Sequence, residues 1–200
     1  MLDLDGVADI VALDLNFLGG SAYDDDIGVW NGTGSCTTHH GESDCYADIY
    51  NLCTRSVTKG YWPVTECLFQ NQPKLCPLSW DAEEGACGSD DYDAEAFDPV
   101  IANCTSGLSE DEVALIIECA VSGDSHEAMG DLGRQLLVDN FAASAEADPE
   151  GKPVWINVNG KLVDDADFDT PEAWGDAVLA AICDAYTGSN VPAACSSAKA

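Results

Sequence analysis

The apolar positions of this chain change their period several times along its length, and each change predicts an element. Residues 10–18, IVALDLNFL, are apolar densely enough for a mostly buried strand, which the GGSA at 19–22 ends. A strand in a sheet covered on both faces is expected there. From 42 to 60 the apolar positions Cys45, Ile49, Leu52, Cys53 and Val57 recur at three and four and stop at Gly60, which predicts a helix with a glycine terminator. Residues 71–93 are rich in Pro, Gly and Asp and have no period, so they read as a surface excursion, stapled by the closely spaced Cys76 and Cys87.

Ser109-Glu110-Asp111-Glu112 is a capping box ahead of the apolar run VALIIECAV, and a further helix is expected over 126–145, with Met129, Leu132, Leu136, Leu137 and Phe141 along one side. VWINVNGKLV at 154–163 predicts a hairpin, because Asn159-Gly160 suits a type I′ turn. Thr170 then caps a helix with Pro171 at its first position. Trp174, Val178, Leu179, Ile182 and Tyr186 form the buried stripe of that helix before Gly188 stops it. A strand, a helical block, a hairpin and a last helix follow the order of an α/β, thioredoxin-like fold. The expected architecture is one domain over 1–200 with an inserted helical block at about 42–145 and without that fold's first strand.

Composition narrows what such a domain can meet. Thirty-seven acidic residues against seven basic ones give a formal charge of −30 in 200 residues, which repels nucleic-acid phosphate and anionic lipid alike. Acidic runs at 24–26 and 163–169 lack the D-x-[DN]-x-[DN]-G order of an EF-hand loop and read as solvated surface. No apolar run approaches the roughly 18 residues of a membrane span, since VALIIECAV is interrupted by Glu118. The opening MLDLDGVADIVALD is acidic and amphipathic and does not have the form of a secretory leader.

Ten cysteines, an even number, point to a paired framework in an oxidising, extracytoplasmic compartment. They are Cys36, Cys45, Cys53, Cys67, Cys76, Cys87, Cys104, Cys119, Cys183 and Cys195. The sequons at Asn31 and Asn103 point to the same compartment and mark both as candidate glycosylation sites. The segment CTTHHGESDCYADIYNLC at 36–53 crowds three cysteines with His39 and His40, and from spacing alone it fits a metal site, a redox centre or a disulfide-stapled turn. His126, near a helix start, reads as a solvated residue rather than a base. A hydrolase triad has only His39, His40 and His126 to draw on.

Several stretches carry a family resemblance. His40-Gly41-Glu42-Ser43-Asp44-Cys45 resembles the H-G-x-x-E-C signature of the gamma-interferon-inducible lysosomal thiol reductases (GILT), and Cys53 lies eight residues further on, as in that family. Cys36 stands two residues further upstream than the family spacing. IIECAV with MGDLGRQLL at 129–137 resembles the family's E-C-A-M-G-D-x-G segment with an insertion after Cys119. WINVNGKLV resembles its hairpin, Cys183 with DAYTG and Cys195 its closing segment, and IVALDLNFLGGSA its second strand and turn. The resemblance implies a thioredoxin-like fold, a Cys183–Cys195 bridge, structural rather than metal-binding roles for Cys36, Cys45 and Cys53, and no cofactor.

Two departures bear on activity. Reductases of this family attack a substrate disulfide with one thiolate of a C-x-x-C and resolve the mixed disulfide with the other, yet none of the ten cysteines stands in that spacing. The family's V-P-W is here Lys152-Pro153-Val154-Trp155, so Val154 takes the place of the cis-proline beside the active cysteines. A cis bond before valine costs about 3 kcal/mol, so that peptide is expected to be trans. The expectation is a non-catalytic structural or binding subunit that works with protein partners in a larger assembly. The alternative is a thiol-disulfide oxidoreductase whose C-x-x-C lies upstream of Met1.

Overall fold

A computed structural model describes residues 4, 6–17, 42–75, 94–122, 128–147, 156–163 and 171–197. Seven helices and two short antiparallel strand pairs are described, and their contacts form two compact units, Asn16–Gly151 and Met1–Leu15 with Lys152–Ala200. Among the described residues the molecule is therefore mixed but mainly helical.

The larger unit is built around α1 (Glu42–Val57), which packs against α2 (Trp62–Leu75), α4 (Glu110–Ala120) and α5 (Asp131–Ala147), while α3 (Ala94–Cys104) packs on α2. The apolar stripe expected on α1 is all inside: Cys45, Ile49, Leu52 and Cys53 are at most 2% exposed and Val57 is half-buried. Being surrounded, α1 also buries polar residues. Thr54 and the Asn51 Nδ2 donate to the carbonyls of Tyr50 at 2.7 Å and Ala47 at 3.0 Å, one helical turn back, while the Asn51 Oδ1 is buried without a partner among the described residues. Phe97 of α3 adds an aromatic contact, edge-on to Tyr46 at 6.1 Å and stacked with Tyr50 at 6.3 Å.

The capping box forms at the start of α4. The Ser109 hydroxyl accepts from the Glu112 amide, and the Glu112 carboxylate accepts from the Ser109 amide at 3.0 Å. Bonds donated to that carboxylate by the Ser109 amide, by the Ser109 hydroxyl at 2.7 Å and by the Thr58 hydroxyl hold the Glu112 carboxyl below the usual glutamate range. Helix α4 ends in β1 (Val121–Ser122), paired with β2 (Ala128–Met129).

Here the expected helix over 126–145 is corrected: Met129 belongs to β2 and the helix begins at Asp131. Its buried stripe is also different, because Leu132 is 57% exposed and the inward positions are Gly133, Leu137, Asn140, Phe141 and Ser144. The reason is close approach. A Cβ on Gly130 would lie 2.3 Å from the Cys119 carbonyl oxygen, and one on Gly133 2.6 Å from the Ile49 Cγ2, so only glycine lets α5 sit this near α4 and α1.

The surface excursion expected from residue 71 begins later, since α2 continues to Leu75. Val64, Thr65 and Leu68 form its inner face, and that face keeps the helical register through Asn71. Residues 76–93 lie outside the described residues. Helix α3 was hidden by its acidic lead-in and by Pro99, although Phe97, Val100, Ile101 and Cys104 keep the period of a buried helical face.

The strand expected at 10–18 is not formed among the described residues. Residues 6–10 are turns closed by bonds such as Ile10 N–H to the Val7 carbonyl at 3.1 Å, and 11–17 carry no strand pairing. Burial alternates from Val11 to Phe17, half-buried then exposed, so one face is open where two covered faces were expected. At its end, side chains of α5 bond this segment. Asn140 accepts from the Phe17 amide at 2.7 Å and donates to the Asn16 side chain at 2.7 Å, while Ser144 donates to the Phe17 carbonyl at 2.7 Å.

In the second unit, β3 (Asn157–Val158) and β4 (Lys161–Leu162) form the hairpin, with φ of 51° at Asn159 and 77° at Gly160 as a type I′ turn requires. Helix α6 (Pro171–Ala185) packs on β3 and on the short α7 (Ala193–Ser197), burying Val178, Ile182 and Cys183. Thr170, Val154 and the peptide before it, the GGSA turn and the acidic run at 24–26 lie outside the described residues, as does the run at 163–169 beyond Val163.

Candidate functional site: the disulfide framework and the face around Cys67

No described cysteine is free, and three bridges are defined. Cys53 of α1 joins Cys119 of α4 across 66 residues, Cys67 of α2 joins Cys104 of α3 across 37, and Cys183 of α6 joins Cys195 of α7 across 12. Cys45 is disulfide-bonded as well and fully buried. The predicted site residues Cys36, Cys76, Cys87 and Asn31 lie outside the described residues, as do His39, His40 and His126. Among the described residues, no cluster of three or more His, Cys, Asp or Glu side chains is arranged to hold a metal ion.

The bridges sit in different surroundings. Cys53 and Cys119 are 0% and 3% exposed, and Cys183 and Cys195 are 3% and 0%. Water and solutes do not reach these sulfurs in the folded state. By contrast Cys67 is half-buried, and Cys104 at 9% is the most exposed of its class in the core.

Two amide groups converge on Cys67. The Asn71 Nδ2 donates to the Cys67 carbonyl at 2.8 Å and lies 3.7 Å from the Cys67 Sγ, and the Asn103 Nδ2 donates to the same Sγ at 3.6 Å. Sequence reasoning singled out Asn103 only as a sequon and missed Asn71. The legible signal was spacing: Cys67 and Asn71 stand four apart on one helix, and Asn103 precedes the partner cysteine.

The Asn103 side chain is exposed in the last turn of α3, as a glycan attachment point requires. The hydroxyl of its sequon is not exposed. Thr105 is 2% exposed and donates to the Ile101 carbonyl at 2.8 Å, which fixes the three residues at a helix end.

No helix among the described residues is long and apolar enough to cross a membrane. Three bridges of this kind are compatible with an oxidising, extracytoplasmic environment. No protein-family model, curated protein or solved structure matches the chain.

Proposed function

We propose that this chain is a disulfide-stapled, GILT-like module of an extracytoplasmic compartment, serving as a structural or binding subunit with protein partners rather than turning over substrate. The observation that carries the reading is that every described cysteine is in a disulfide, six of them in bridges between helices, while no two of the ten stand in C-x-x-C spacing. A buried bridge between packed helices resists reduction, whereas a catalytic pair must cycle between dithiol and disulfide. A thioredoxin-like arrangement is supported by the type I′ hairpin followed by α6 and its bridge to Cys195, in the order the resemblance implies.

The test is an insulin-disulfide reduction assay with this 200-residue chain, at acidic and neutral pH, with glutathione as donor. The rate is expected to equal that of glutathione alone. Turnover well above that rate would overturn the proposal, and turnover only in a longer chain carrying a C-x-x-C would establish the oxidoreductase reading instead.

A further inference from the structure

We propose that Cys67–Cys104 is a thiol-exchange site for a low-molecular-weight thiol, with Cys67 as the departing sulfur. This goes beyond the structural role above and does not depend on it, because it concerns one stoichiometric exchange rather than turnover of a substrate.

Three observations converge on this bridge. It alone among the three named bridges has a half-buried cysteine, Cys67, and the attacked partner Cys104, at 9%, is more exposed than any cysteine of the other two, so a small thiol reaches this bridge through a smaller opening than the others need. Two amide N–H donors meet at the Cys67 Sγ, from Asn71 and Asn103. A neutral disulfide sulfur accepts such bonds weakly, but a thiolate accepts them strongly, so the donors stabilise the charge that appears as Cys67 leaves. The third observation is the helix that carries Cys104. Helix α3 has 11 residues with Pro99 inside, which removes one backbone bond, and beyond the buried Thr105, whose amide and hydroxyl both bond the Ile101 carbonyl, the chain is exposed at Ser106 and Gly107. Local opening of that last turn, which breaks the two Thr105 bonds to Ile101, uncovers Cys104 while α1 and its bridge stay closed.

The exchange balances with two equivalents of thiol. A glutathione thiolate attacks the Cys104 Sγ, forming a mixed disulfide as the Cys67–Cys104 bond breaks and Cys67 departs as a thiolate between the two amides. A second glutathione thiolate attacks the glutathione sulfur of the mixed disulfide, releasing glutathione disulfide and the Cys104 thiolate. Both protein thiolates take protons from water. Two electrons pass from two glutathiones to one cystine, and α2 is no longer tied to α3.

The experiment is graded reduction of the folded, unglycosylated chain in glutathione redox buffers, followed by alkylation and peptide mapping. Cys67 and Cys104 are expected to label first, at least tenfold faster than Cys53, Cys119, Cys183 and Cys195, with trapped glutathione on Cys104. Simultaneous labelling of all three bridges, earlier opening of a buried one, or glutathione trapped on Cys67 would each overturn the proposal. The double variant Asn71→Ala/Asn103→Ala should slow the opening roughly tenfold, the scale of lost bonds to a charged group. An unchanged rate in a variant whose circular dichroism matches the parent would contradict the role of the amides. The bridge ranking in the unsubstituted chain tests the site even if that variant fails to fold.

Discussion

Cys53–Cys119 and Cys67–Cys104 do the same covalent job, tying one helix to another inside one helical unit, yet they sit in opposite environments. The first joins two helices that are packed on each other, with both sulfurs shielded. The second lies toward the surface at the end of a short, proline-containing helix, with amide donors beside one sulfur. Surroundings rather than bond type decide what a disulfide can do. A shielded bridge is permanent architecture, and a reachable one with a stabilised leaving group can respond to its medium.

The strongest way to sharpen this contrast is to delete each bridge in turn. Loop-closure entropy differs little between separations of 66 and 37 residues, so it assigns each bridge about 4 kcal/mol. The pair Cys53→Ala/Cys119→Ala should nevertheless lose more stability than Cys67→Ala/Cys104→Ala, because it also leaves a gap in a packed interior. Urea denaturation measures both, and equal losses would break the comparison.

Next in size is Gly130→Ala, whose added methyl would meet the Cys119 carbonyl at 2.3 Å, a backbone atom that cannot swing aside. A loss of about 3 kcal/mol is expected, read from the shift of the urea midpoint. Asn140→Ala removes the bonds that hold the chain at Asn16 and Phe17 and should cost about 2 kcal/mol. Its effect on the Cys67–Cys104 opening rate should be negligible.

Smaller still, Ser109→Ala at the start of α4 should cost about 1 kcal/mol by thermal denaturation. The accompanying Glu112 carboxyl is held below its ordinary range, first by the Ser109 amide and hydroxyl. A depressed folded value means that its contribution is fully present above the ordinary glutamate pKa and is lost as pH falls through the folded one. An NMR titration should place the Glu112 midpoint below that of a free glutamate, and Ser109→Ala should raise it.

Several features were legible because period and chemistry agreed. In α1 the apolar three-and-four spacing is also the burial pattern, and in the hairpin Asn159-Gly160 selects the turn by its left-handed backbone. The capping box was equally direct. The stripe of α5 was misread because hydrophobicity is a poor guide where backbones touch. Gly133 faces inward to permit contact, Asn140 and Ser144 face inward to bond a neighbouring segment, and Leu132 is left outside. The strand expected at 10–18 is not formed among the described residues for a related reason: apolar density does not specify a hydrogen-bonding partner.

In the candidate site, the paired state of the described cysteines agrees with the even number in the sequence. The amides around Cys67 were not legible, since Asn103 comes from a helix 36 residues away in sequence and only the packing of α2 on α3 brings it there.

The central contrast, a protected α1 against a more yielding α2–α3 pair, is tested most directly by native-state hydrogen exchange on the fully oxidised chain. Amides of residues 46–54, nearly all buried, should exchange only through global unfolding, with a denaturant dependence matching that of the whole protein. Amides at the ends of α2 and α3 around Asn71 and Asn103 should exchange through a smaller opening at lower free energy. Exchange from α1 as easily as from α3, with the same weak denaturant dependence, would contradict the account.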